Sequence, residues 1–168
     1  MAAAAPRLER FKQAQEDAHA GYAVALKEIQ AGAKRSHWIW YIFPQLAGLG
    51  ASHASAIYGI DGVPEASAYL RDPDLSGRLL TITTAVRDQL KGGVRLPALM
   101  GSHIDALKLV SSLTLFEHAA RTLQAAEGGG IHGTLAAIAH EVLDIAEAEG
   151  YARCRYTLDV LRGDRGTR

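Results

Sequence analysis

The sequence predicts an all-α fold: a single compact domain over residues 1–168, built as a bundle of about six helices around one central helix over roughly 103–126. Three observations carry that expectation. Apolar residues recur at three, four and seven along most of the chain, the spacing of one helix face. The stretch from Ile104 to Phe116 is apolar almost all round, as in a helix buried on several sides. No segment alternates as a strand with a convincing partner to pair with.

Pro6 to Ile29 reads as one amphipathic helix, with Phe11, Ala18, Tyr22, Ala25 and Ile29 inward and Gly32 as its stop. Ser36 is a good N-cap for a short helix that ends before Pro44, although a wholly apolar run over 37–43 also suits an extended segment. Gly48 and Gly50 mark a loop, and Ser52 caps a two-turn helix to Tyr58. Asp61-Gly62 is a turn, and Pro64 sits in the first turn of a helix through Leu70. Asp72-Pro73 breaks the pattern, and Leu75 to Leu90 forms the next long helix, closed by Gly92-Gly93. Ser102 with Asp105 resembles a capping box and opens the central helix. Gly128-Gly129-Gly130 is a hinge or loop, followed by a helix over Leu135 to Ala148 and a short one over Tyr156 to Leu161.

A chain of 168 residues buries roughly 70% of the surface it exposes when unfolded, so it needs no disulfide or metal staple. The 18 basic and 18 acidic residues cancel. DNA, RNA and membrane partners are therefore not expected, since each calls for a clustered positive surface. The basic tail of Arg153, Arg155, Arg162, Arg165 and Arg168 reads as a solvated end. The lone Cys154 forms no internal disulfide, and no signal peptide or membrane span is visible, so the expected location is cytoplasmic.

Two stretches carry candidate chemistry. Trp38, Trp40, Tyr41 and Phe43 are four of the eleven Phe, Trp and Tyr residues, flanked by Lys34, Arg35, His37 and Gln45. They serve either as core anchors or as a cradle for a flat ligand. On the central helix, Lys108, Ser111 and Ser112 can share one face with Asp105 a turn before, an arrangement able to hold a phosphate or carboxylate. The plain alternative is an Asp105–Lys108 surface pair with serines bonded back to helix carbonyls. Metal binding is not expected: the seven histidines contain no i,i+4 pair, and His140 to Asp144 is only a partial zinc-helix pattern. Cys154 has no His partner in its vicinity, so no catalytic thiol is expected.

Arg10-Phe11, the block Ser36-His37-Trp38-Ile39-Trp40-Tyr41-Ile42-Phe43-Pro44-Gln45-Leu46, Tyr58-Gly59-Ile60, Asp72-Pro73, Asp105 to Leu109 and Ser111 to Phe116 together resemble the family called domain of unknown function 1810. The resemblance covers residues 7–120 and leaves the C-terminal helices at 133–162 outside it. It implies a bundle of about six helices with one through the middle, and no activity. A distant similarity, through Leu75 to Leu79 and Lys108, is to NADAR-type domains associated with ADP-ribose derivatives.

The expected function is binding of a nucleotide-like anionic small molecule, an ADP-ribose derivative by that similarity, with N-glycosidic hydrolysis as the reaction if there is one. The expected binding residues are Trp38, Trp40, Tyr41, Gln45, Tyr58, Asp105, Lys108, Ser111 and Ser112; His37 and Glu117 would manage the proton, with no cofactor. The alternative is a non-catalytic adaptor or homo-oligomerisation module in which Trp38, Trp40 and Phe43 form an exposed patch.

Overall fold

A computed structural model describes residues 7–128 and 130–165; Pro6, Gly129 and Arg168 of the segments discussed above lie outside the described residues. The described chain is helical, with ten helices: α1 (Glu9–Gln15), α2 (Tyr22–Gln30), α3 (Ile39–Ile42), α4 (His53–Tyr58), α5 (Gly62–Arg71), α6 (Pro73–Lys91), α7 (Leu96–Met100), α8 (His103–Glu127), α9 (Gly130–Ala148) and α10 (Arg155–Arg165). The expected count of about six is too low. Four of the ten, α1, α3, α4 and α7, are seven residues or shorter.

One of the extra helices comes from a break that periodicity hides. Residues 7–29 do not form one helix: the chain leaves α1 after Gln15 and restarts at Tyr22. The Asp17 carboxylate accepts the N–H groups of His19 and Ala20 at 2.8 Å, a side-chain turn that competes with helix. Gly21 then passes so close to the preceding backbone that a Cβ on it would lie 2.2 Å from the Asp17 carbonyl oxygen. Of the expected inward face Phe11, Ala25 and Ile29 are fully buried and Tyr22 half-buried, whereas Ala18 falls in the turn between the helices and is exposed.

α8 is the axis. It packs against α9, α5, α7, α10 and α3, while α6 closes the other side against α9, α2 and α5. From Leu109 to Glu117 every residue of α8 is buried, which is why its apolar side chains point in all directions. Ser102 caps it by accepting the Asp105 N–H at 3.0 Å. The Asp105 carboxylate does not complete a capping box; it turns to Lys34 instead. The buried residues form one hydrophobic cluster running from Phe11 to Leu161.

Three polar anchors hold the loops to this core. Arg10 reaches from α1 to the carbonyls of Ile57 and Gly59 and pairs with Glu65 at 2.8 Å. Glu28 on α2 accepts the backbone N–H groups of Arg35 and Ser36, the Ser36 hydroxyl and the Trp38 indole N–H, all within 2.9 Å. An isolated parallel bridge joins Leu46 to Ile60, with Ala47 N–H donating to the Ile60 carbonyl and Ile60 N–H to the Gln45 carbonyl, each at 2.9 Å. No helix among the described residues is long and apolar enough to cross a membrane.

Candidate functional site

The segment leading into α3 meets the N-terminal turns of α8 around one carboxylate and two ammonium groups. Lys34 follows α2, and its backbone N–H donates to the Leu99 carbonyl at 2.7 Å. Gly101 makes that approach possible: its φ is +81°, and a Cβ there would lie 2.9 Å from the Lys34 carbonyl oxygen. Lys34 Nζ then sits 2.8 Å from Asp105 Oδ2 and donates to the Ser36 carbonyl at 2.6 Å. Lys108 Nζ lies 3.8 Å from the other Asp105 oxygen. One negative charge thus faces two positive ones, and the nearer, more buried lysine takes most of it. Lys108 keeps a cation that is only loosely compensated.

Each lysine also covers an indole. Lys34 Nζ is 5.0 Å from the Trp38 ring centroid and Lys108 Nζ 4.7 Å from that of Trp40. The two tryptophans differ in what surrounds them. Trp38 is fully buried with its N–H donated to Glu28, whereas Trp40 is partly exposed and its buried Nε1 has no hydrogen-bond acceptor.

Two hollows open on this point. The first, between α3, α4 and α8, is lined by Ile39, Trp40, Phe43, Gln45, Ser55, Tyr58, Gly59 and Lys108 and has an internal volume of about 10 Å³, room for about one water. The second is a groove of about 310 Å³ along α8, lined by Gln45, Leu49, Gly50, Ile104, Leu107, Lys108, Val110, Ser111, Ala152 and Cys154. Gln45 and Lys108 belong to both.

The structure thus brings together Trp40, Gln45, Tyr58, Asp105, Lys108 and Ser111 of the expected binding residues. It places the others elsewhere. Trp38 is sealed in the core, with 0% exposure. The Tyr41 hydroxyl donates to the Ala20 carbonyl at 2.7 Å, burial pushes its pKa up to about 12, and it lines neither hollow. Ser112 is fully buried on the opposite side of the helix turn from solvent, with an unpartnered hydroxyl. Ser111 donates to the Leu107 carbonyl at 3.0 Å, the plain helix back-bond weighed above.

The two expected proton-handling residues are not brought together. His37 is exposed and lines neither hollow. Glu117 lies on α8 nine residues beyond Lys108, about 13 Å along the axis. There its Oε1 is held at 2.7 Å by both Arg121 Nη2 and His140 Nδ1. Arg153 joins this network through Asp144 and Glu147, at 2.9 and 3.0 Å. An open pocket of about 260 Å³ beside Glu117 is lined also by Arg121, Arg153 and Arg162. These three guanidinium groups are matched by Glu117, Asp144, Glu147 and Asp159, so the pocket has no cationic surplus. It reads as a clamp among α8, α9 and the start of α10. The exposed aromatic patch of the adaptor reading does not form either, because Trp38 and Phe43 are 0% and 1% exposed.

Three participants were not among the expected site residues. Lys34 and Glu28 sit in ordinary charged surroundings, and only the fold reveals what they hold. Cys154 comes from the C-terminal end of the chain to line the groove beside Lys108. Burial would raise its thiol pKa, but hydrogen bonds from Ser111 and from the backbone N–H groups of Thr157 and Tyr156 bring it below the usual value. Among the described residues no group of three His, Cys, Asp or Glu side chains is placed to hold a metal.

A family model described as a protein of unknown function, DUF1810, matches residues 5–128. The chain belongs to the DUF1810 family. The match takes in the aromatic block and the Asp105–Lys108 turn, while Ala152 and Cys154 lie beyond it. The fold is also similar to the crystal structure of the conserved hypothetical protein Rv1873 from Mycobacterium tuberculosis. Identity to it is 32%, the TM-score is 0.72, and the likeness covers 92% of this chain and 95% of that one. That likeness extends past the part matched by the DUF1810 model. The distant resemblance to NADAR-type domains gains nothing from either comparison. No curated protein matches the chain.

Proposed function

We propose that this DUF1810 protein binds a small organic anion in the groove between the 36–50 segment and α8, with Lys108 as the anion contact. The observation that carries this reading is the sharing of Asp105: Lys34 engages it at 2.8 Å and leaves Lys108, at 3.8 Å, with positive charge to spare at the junction of two hollows. Trp40 lines the smaller hollow beside Lys108, and its enclosed N–H is a donor the fold leaves without an acceptor. Nucleotide-like anions, ADP-ribose derivatives among them, are the class expected from the sequence and belong in the test. Hydrolysis is not part of the proposal, since His37 lines neither hollow and Glu117 is engaged by Arg121 and His140.

The test is thermal unfolding with AMP, NAD, ADP-ribose and simple carboxylates, on the wild type and on Lys108→Ala. A ligand present at a hundredfold its dissociation constant adds about 2.7 kcal/mol to stability. The expected result is a rise in melting temperature with at least one anion that Lys108→Ala removes. No shift with any of them overturns the reading.

A second reading rests on a separate observation. Ile104 and Leu107 are 62% and 45% exposed on adjacent turns of α8, and Tyr156 is 43% exposed. An apolar rim of this kind also suits a homo-oligomer contact. Sedimentation velocity on the wild type and Leu107→Glu separates the two: a dimer that the glutamate dissociates favours oligomerisation, and a monomer in both favours the ligand groove.

A further inference from the structure

We infer that the occupant of this groove is an amphipathic monoanion, a single carboxylate head on an apolar body, rather than a polyphosphate nucleotide. The inference rests on the anion-binding reading and gives it a ligand class.

The head group follows from the donors. At the junction of the hollows stand one ammonium, Lys108, and one primary amide, Gln45, with Trp40 lining the smaller hollow beside them. That is one full positive charge and one neutral amide, enough for one carboxylate and too few for a diphosphate. The hollow beside Trp40 is itself about 10 Å³, the size of one water or one carboxylate oxygen and far below that of a purine ring. One face of the Trp40 ring, moreover, is already covered by Lys108 at 4.7 Å. A base stacking on that face has to displace the ammonium.

The body follows from the walls. Away from Lys108 and Gln45 the 310 Å³ groove is bounded chiefly by Leu49, Ile104, Leu107, Val110 and Ala152. Ribose hydroxyls buried against such walls lose water and gain no partner, whereas methylene or aryl groups are stabilised by leaving water. Ile104 and Leu107 extend the apolar wall outward, being largely exposed. Ser111 adds no free donor, because its one hydroxyl proton is shared between the Leu107 carbonyl and the Cys154 sulfur.

Cys154 supplies the readout. It is the single cysteine of the chain and lines the groove, so an occupant shields it from alkylation. The rate of N-ethylmaleimide addition, followed by intact mass, is measured with octanoate, octanol, AMP and ADP-ribose. Octanoate is expected to slow the reaction at concentrations at least about tenfold lower than octanol, the discrimination that one charge-assisted contact supplies. Lys108→Met, which keeps the stem and loses the charge, is expected to make the acid and the alcohol equal. Leu107→Glu, at an exposed position that does not endanger folding, is expected to abolish protection by the acid through like-charge repulsion. Equal protection by octanol and octanoate in the wild type overturns the inference. Protection by ADP-ribose or AMP but not by octanoate overturns it too, while leaving the anion reading standing. If no compound protects, both fail.

Discussion

At the scale of single residues, two carboxylates organise the site without lining it. Glu28 gathers four donors from the 35–38 segment. Burial works against its charge, but the hydrogen bonds from Ser36, Arg35 and Trp38 outweigh that and bring its pKa down to about 2 from an ordinary 4.5. Glu28→Gln keeps the shape and loses the charge, and is expected to cost about 2 kcal/mol in a denaturant titration. The sign of the pH effect follows from the depression. The stabilisation is complete above pH 4.5, where the unfolded carboxyl is also ionised, and is lost as pH falls through the folded pKa near 2. A flatter acid limb in the Gln variant checks this. Asp105 plays the other part, dividing its charge unequally between Lys34 and Lys108. None of this was legible beforehand: an Asp and a Lys three apart on a helix read as a solvated pair, and the lysine that changes its meaning stands 71 positions away from Asp105 in sequence.

At the scale of elements, spacing and capping in the sequence carried most of the architecture. Asp72-Pro73 and Ser102 mark real helix starts, with the Asp72 carboxylate accepting the N–H groups of Asp74 and Leu75 and Ser102 accepting that of Asp105. Ser102→Ala is expected to lose about 1 kcal/mol, read as a lower thermal midpoint. The unbroken helix over 6–29 failed for a local reason. Apolar positions on either side of a two-turn interruption kept the same phase, so the pattern alone could not show that Asp17 and Gly21 divert the backbone. Gly21→Ala is expected to destabilise by about 2 kcal/mol, because a methyl group has to displace the Asp17 carbonyl; Ala18→Gly, a loop control, is expected to cost much less.

At the scale of the whole molecule, the central position of α8 was readable because only a helix enclosed by neighbours tolerates apolar side chains on every side. The groove was not, since it takes its walls from three distant stretches, 45–50, 104–111 and 152–154, and no periodicity connects them. Acid sensitivity belongs at this scale as well. Glu65 and Asp72 are buried enough to resist ionisation, yet Arg10 and Lys12 respectively hold their carboxyls below the ordinary range. With Glu28 they tie α1, α2, α5 and α6 to the rest, so stability measured by urea titration is expected to fall steadily from about pH 5 downward as the unfolded chain binds more protons than the folded one. The small parallel bridge at Leu46 and Ile60 carries a final consequence. Its two hydrogen bonds form a hasp: unfastening either end frees the strip that bears Gln45 from the strip that bears Tyr58. Deuterium uptake at the Ala47 and Ile60 amides should therefore proceed at a shared rate, and anything lodged against Gln45 should slow both together.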